Sequence, residues 1–136
     1  MRWFAVLTLC VANACIPEEG PLMLPGEDCI GCHDGGEARA WTAAGTVFQT
    51  RTSGTGSSAR GARVHLRDAN GRSITLETNQ AGNFYTAERL RFPLRARLEQ
   101  DGVVREMTPE VEYGGCNHCH TIPPEDLAPG RLSVHE

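Results

Sequence analysis

Two five-residue motifs, Cys29-Ile30-Gly31-Cys32-His33 and Cys116-Asn117-His118-Cys119-His120, stand toward opposite ends of a chain of 136 residues that holds six cysteines in all. Two thiols three positions apart can form thioethers with both vinyl groups of one haem, and the adjoining imidazole can then ligate the iron. The spacing therefore predicts two covalently bound c-type haems on Cys29, Cys32, Cys116 and Cys119, with His33 and His120 as proximal iron ligands. Two plainer chemistries use the same atoms. Four thiolates could converge on one zinc ion, or each Cys pair could close as a disulfide in an oxidising compartment, which leaves the two histidines without a shared explanation.

The sixth ligand of each iron decides between carrying electrons and binding an outside molecule. Beyond the first residue the chain has two methionines, and each precedes a pentad: Met23 comes six residues before Cys29 and Met107 nine before Cys116. The repeated relation points to His/Met ligation, with the pairing of methionine to haem left open; the plain alternative makes both methionines packing residues. Bis-histidine ligation is the second reading. Its candidates are His65 on an expected strand, His118 between two haem-linked cysteines, and His135 near a terminus expected to fray.

Arg2 precedes an apolar run from Trp3 to Ala14, and Ala12-Asn13-Ala14 has the small-x-small pattern of a cleavage site, so residues 1–14 read as an export signal. The run falls short of the roughly 20 apolar residues that a transmembrane helix needs. Export counts against the zinc reading. Once four cysteines take haem and Cys10 leaves with the signal, Cys15 alone has no partner. The segment resembles a bacterial lipoprotein signal, although Ala12 stands where that family usually has leucine. The resemblance implies acylation of Cys15, a lipid-anchored tether over 15–28, and, through Ile16 after the cysteine, the outer membrane. Several acyl chains at about 0.8 kcal/mol per buried methylene would make a permanent anchor.

Positioning two haems falls to the middle of the chain. There the apolar period is two, as in Val64 and Leu66, Ile74 and Leu76, and Leu94, Ala96 and Leu98 with Arg95 and Arg97 between them. Turn residues at Asn70-Gly71, Gln80-Ala81-Gly82-Asn83 and Asp101-Gly102 separate the runs. Strands are expected at 42–49, 62–68, 73–78, 83–86, 94–100 and 103–107, with Ser53–Ser58 as a flexible loop. The fold class is mainly β: an antiparallel β-sandwich over 41–110, flanked by irregular haem-binding segments at 29–40 and 111–136. Trp41, Phe48, Phe84, Tyr85, Phe92 and Tyr113 are the expected large core groups.

Ala44-Gly45-Thr46-Val47, Gly61-Ala62-Arg63-Val64-His65-Leu66 and Thr78-Asn79-Gln80-Ala81-Gly82-Asn83-Phe84-Tyr85 resemble the carboxypeptidase regulatory-like, or transthyretin-like, sandwich modules. That resemblance covers 42–107 and implies a non-catalytic folding unit. The order of motifs as a whole, with Pro21-Leu22-Met23-Leu24-Pro25-Gly26 before the first pentad and Gly114-Gly115 before the second, is similar to small envelope haem proteins of delta-proteobacteria. It implies a dihaem c-type cytochrome-like lipoprotein and no particular substrate.

All thirteen basic residues are arginine. Six acids against Arg39 fall between 16 and 40, six against Arg131 between 106 and 136, and ten arginines against five acids lie between 41 and 105. A solvated sheet face accounts for the basic middle better than nucleic acid, which is not expected as a partner. The acidic haem segments would steer a basic redox partner. The sequence thus reads as an electron carrier in the periplasm or cell envelope. A haem peroxidase or ligand sensor would need one open iron and a distal polar group, for which His65 or Arg39 would serve. A structural or adhesion module stapled by haem is a third reading. Serial transfer between the haems requires the fold to bring Cys29 and Cys116 into one neighbourhood.

Overall fold

The computed structural model describes residues 20–36 and 38–136. The expected export signal, the expected acylation of Cys15, and residues 15–19 of the expected tether lie outside the described residues. Among the described residues no helix is long and apolar enough to cross a membrane.

Six strands form where the alternation places them: β1 (Ala43–Thr46), β2 (Arg63–Arg67), β3 (Ser73–Glu77), β4 (Asn83–Thr86), β5 (Arg95–Gln100) and β6 (Val103–Glu106). Two single-turn helices, α1 (Cys29–Cys32) and α2 (Cys116–Cys119), hold the pentads. The strands make an antiparallel ribbon, β1-β4, and an antiparallel four-stranded sheet in the order β3-β2-β5-β6. In β2, Val64 and Leu66 are buried while Arg63 and Arg67 are exposed, so the arginines of the sheet take its solvent side. Two are ion-paired there, Arg63 with Glu99 at 3.6 Å and Arg95 with Glu110 at 3.0 Å, and Arg72, just before β3, pairs with Glu88. Between β5 and β6, Asp101 and Gly102 both take positive φ, 51° and 77°, the left-handed pair of a tight hairpin.

The core joins Val64, Leu66 and Leu98 of the larger sheet to Ala43 and Phe84 of the ribbon. Every residue of β1 is buried, because α1 and α2 also pack on it. Its sequence, Ala43-Ala44-Gly45-Thr46, leaves room for them. A Cβ on Gly45 would lie 2.9 Å from the Phe84 ring and 3.0 Å from Cys116 Cβ, closer than real side chains come.

Three expectations change. The Ser53–Ser58 stretch is organised: Gln49 N–H donates to Ser57 O at 2.9 Å, and Phe48 bridges Ser58. The C-terminal segment docks. Val134 is buried in the core, Leu132 bridges Val47 in parallel, and Arg105 Nε donates to Val134 O at 3.1 Å; burial of Leu132 and Val134 outweighs the entropy that frays a terminus. Among the aromatics, Phe48 and Phe84 are buried and Phe92 packs against the core, whereas Tyr85 and Tyr113 are exposed. Both tyrosines serve the pentads.

Candidate functional site

Each pentad is one helical turn, so its two thiols, three positions apart, share a face. The two turns are nearly the same object. The first is entered through Asp28 at φ −73°, ψ 93° and left through His33 at −89°, 50°; the second is entered through Gly115 at −82°, 87° and left through His120 at −82°, 59°. In both, the histidine N–H closes the turn on the first cysteine's carbonyl, at 2.9 Å for His33 to Cys29 and 3.1 Å for His120 to Cys116.

The imidazoles are anchored alike. His33 Nδ1 lies 2.9 Å from Arg39 O, and His120 Nδ1 lies 2.9 Å from Gly130 O. A carbonyl oxygen can only accept, so Nδ1 is the donor in each ring, and in the neutral imidazole the lone pair is then on Nε2. A metal-binding histidine uses this arrangement, one nitrogen fixing the ring and the other ligating.

The surroundings differ. The His33 ring stacks on Trp41 with centroids 3.4 Å apart and planes 5° from parallel, and Trp41 stacks on Tyr85 at 4.3 Å and 10°. Around the second pentad the contacts are backbone. Ala44 N–H donates to Gly114 O at 2.9 Å and Phe48 N–H to Leu132 O at 2.8 Å, so residues 114–132 are clipped at one end to the edge of β1 and at the other to the residues just after it. Between the clips, Asn117 is buried and its Oδ1 accepts from Thr46 N–H at 2.6 Å. Thr46 Oγ1 donates to Asn83 Oδ1 at 2.7 Å, and Asn83 Nδ2 donates to Met23 O at 2.9 Å.

Burial pushes the Cys116 thiol up to about 12 and the Cys29 thiol up to about 11. It also raises Cys119, with the Asp126 carboxylate beside that thiol adding to the effect. Burial lowers His120. Three of the four pentad sulfurs are therefore held as thiols at neutral pH, and Cys119 Sγ donates to Asp126 Oδ2 at 3.4 Å. Among the described residues no three or more His, Cys, Asp or Glu side chains gather as a metal site. The four sulfurs are not assembled into one tetrahedral centre.

The residues present fit a haem at each pentad. Both rings offer Nε2, each thiol pair shares a face, and the flanking segments hold large apolar side chains in water: Leu22 and Leu24 before the first turn, Tyr113, Ile122 and Leu127 around the second, with Leu127 fully exposed.

Cys29, Cys32 and His33 come together with Cys116, Cys119 and His120 in one neighbourhood beside β1. Tyr113 Oη donates to Asp28 Oδ2 at 3.0 Å, and His118 Nδ1 lies 3.3 Å from the same oxygen. The segment of Met23 is tied to this cluster through Asn83. Met107 is placed elsewhere: it follows β6, its N–H donates to Ala96 O at 3.0 Å, and it lines a shallow depression with Arg95, Glu106, Thr108 and Glu110 that no pentad residue shares. His65 has both nitrogens engaged, Nδ1 with Thr75 Oγ1 at 2.9 Å and Nε2 with Glu99 Oε2 at 3.0 Å. Asp28, Trp41 and Asn117 are the site residues that sequence reasoning missed. Asp28 carried a signal, since an aspartate just before a helical turn is a favoured N-cap.

No protein-family model, curated protein or solved structure matches this chain.

Proposed function

We propose that this chain is a dihaem c-type cytochrome that carries electrons in the bacterial cell envelope, exported by residues 1–14 and held at the membrane by an acylated Cys15. The observation that carries the proposal is the duplicated turn: two Cys-X-X-Cys-His pentads with matching backbone, each with Nδ1 fixed on a carbonyl, which would leave Nε2 as the nitrogen to ligate iron. A bound haem iron supplies a one-electron couple at each site. Cys29 with Cys32 and Cys116 with Cys119 would retain the groups covalently, and His33 and His120 would ligate them. Two carbonyls, of Arg39 and Gly130, would keep the imidazoles from turning between oxidation states.

Met23 and Met107 are the proposed distal ligands. For Met23 the support is structural as well as sequential, because its carbonyl is hydrogen-bonded into the seat of the second pentad. Met107 has its place upstream of Cys116 alone. The acidic character of the haem segments would orient a basic redox protein, and the sandwich, which resembles the carboxypeptidase regulatory-like modules, would serve as scaffold.

The test is production of the mature chain in a host with c-type cytochrome maturation, with haem counted per chain and spectra taken oxidised and reduced. Two covalent haems with low-spin bands are expected, and Met23→Ala and Met107→Ala should each remove one methionine–iron feature. Absence of haem would overturn the reading and restore the disulfide alternative. Unchanged spectra would remove the methionine assignments.

A further inference from the structure

We infer that Asp28 is a positioning residue that locks the two haem sites into one rigid pair, an inference that rests on the dihaem reading above. One carboxylate serves both pentads. Its Oδ1 accepts from Ile30 N–H at 3.3 Å and caps the first turn. Its Oδ2 accepts from Tyr113 Oη at 3.0 Å and faces His118 Nδ1 at 3.3 Å. Both of these partners belong to the second haem segment, Tyr113 just before its pentad and His118 between its thiols. They brace each other, with ring centroids 5.3 Å apart and planes 73° from parallel.

The approach is built in on the other side as well. Gly115, which opens the second turn, leaves the space that Asp28 fills; a Cβ there would be driven onto Asp28 Oδ1 and the Tyr113 ring. An exposed ion pair between mobile side chains holds geometry poorly. Here the carboxylate is fixed by its own backbone cap, the tyrosine by an aromatic neighbour, and the histidine by the helical turn. Burial together with Asp28 pushes the Tyr113 hydroxyl up to about 12, so it remains a donor across the neutral range. Thioethers would then tie each haem to a turn that cannot move without the other.

The experiment uses the full, haem-loaded chain and reads exciton coupling in Soret circular dichroism together with the separation of the two reduction potentials. The wild type should give a Soret couplet. The double variant Tyr113→Phe/His118→Ala leaves the Asp28 cap on Ile30 in place and cuts the link. With two haems still bound, its couplet should fall by roughly half or more, as expected when a site loses its supporting shell, and its potential separation should change. Asp28→Asn, which can still cap Ile30 and bond Tyr113, should keep the couplet, and Asp28→Ala should lose it. A residue that served stability alone would lower the melting temperature and leave the couplet intact.

A two-haem wild type without a couplet overturns the inference, as does an unchanged couplet in the double variant. If the double variant does not fold, Tyr113→Phe alone is read in the same way: a weakened couplet supports the lock and an unchanged one overturns it. A wild-type chain that takes up no haem overturns the carrier reading itself, an outcome that haem counting separates from the others.

Discussion

Around the second pentad the contacts are those of a sheet edge. Gly114 and Leu132 bond to the backbone of β1 and of the residues just after it, Asn117 occupies the N–H of Thr46, and Cys116 lies over Gly45 against the Phe84 ring. Around the first pentad they are rings and caps, with His33 on Trp41, Trp41 on Tyr85, and Asp28 reaching across to the neighbouring segment. Yet the two turns have almost the same dihedrals, and both histidines are fixed by the same kind of carbonyl. The pentad thus specifies its own turn and the way its histidine ring is held, while the rest of the chain decides how deeply it sits and what depends on it. One pentad is part of the fold; the other rests upon it.

The largest contrast should be chemical, in thiol reactivity of chain made without haem maturation. Cys32 is exposed, and Cys116 is pushed up to about 12 by burial, with the charge of a nearby Cys29 thiolate adding to it. The thiolate is the nucleophile, and three units above an ordinary cysteine is about a thousandfold less thiolate at neutral pH. Alkylation followed by peptide mass spectrometry at pH 8 should label the exposed Cys32 first and Cys116 last. Equal rates would break the comparison. The pH dependence has a definite sign. The unfolded chain gives up its thiol protons near 9, and the folded chain keeps those of Cys29 and Cys116 to about 11 and about 12. The folded state binds more protons across that interval, so stability is full below pH 9 and falls as pH rises through it. Denaturant midpoints at pH 8 and pH 10 check this.

Next in size is the close approach of the second segment to β1. A Cβ on Gly114 would be driven into the Thr42 carbonyl oxygen, a backbone atom with nowhere to go. Gly114→Ala should therefore part the segment from β1 and break the Ala44 N–H to Gly114 O bond, at a cost of about 3 kcal/mol. Gly36→Ala, beside the first pentad, meets only the Asp34 side chain, at 3.2 Å, and should shift the unfolding midpoint little. Equal losses in the two variants would mean that both pentads are equally built in.

Much of this organisation is legible in the sequence, and the parts that are not have a common cause. The strands follow from period-two burial in runs such as Arg63–Arg67 and from turn residues such as Asp101-Gly102, both local signals. The pentads are local as well, five residues carrying their own geometry. What the sequence hides is pairing at a distance. Asn117 bonds a strand 71 residues away and Tyr113 bonds Asp28 85 residues away, and nothing in composition or period marks either pair. The same gap explains the aromatic errors. Tyr85 and Tyr113 satisfy a core pattern as well as Phe84 does, but a hydroxyl or a flat exposed face suits them to the pentads, and only tertiary placement distinguishes these uses. Gly114-Gly115 stood out before the second pentad, and its reason is contact with Thr42 and Asp28 that the chain order does not reveal.

The smallest effects sharpen the comparison most directly, because they remove one side chain from each footing. Asn117→Ala leaves the Thr46 N–H without its acceptor at a fully buried position, and an unsatisfied buried donor costs about 2 kcal/mol. That loss belongs to the whole fold, since Thr46 lies in β1 and its hydroxyl also holds Asn83 and Gly26. Tyr85→Ala removes only the outer ring of the stack on His33, and a stacked aromatic pair at a half-exposed position is worth about 1 kcal/mol beyond its area. Chemical denaturation should accordingly rank Asn117→Ala below Tyr85→Ala in stability. In haem-loaded protein the order should reverse for the first site: Tyr85→Ala uncovers the outer face of Trp41, whose other face steadies the His33 ring, and the change should appear in the spectrum of one haem while the other is unmoved. If Asn117→Ala leaves stability untouched, the second pentad is a passenger like the first, and the division between a built-in and a resting site is wrong.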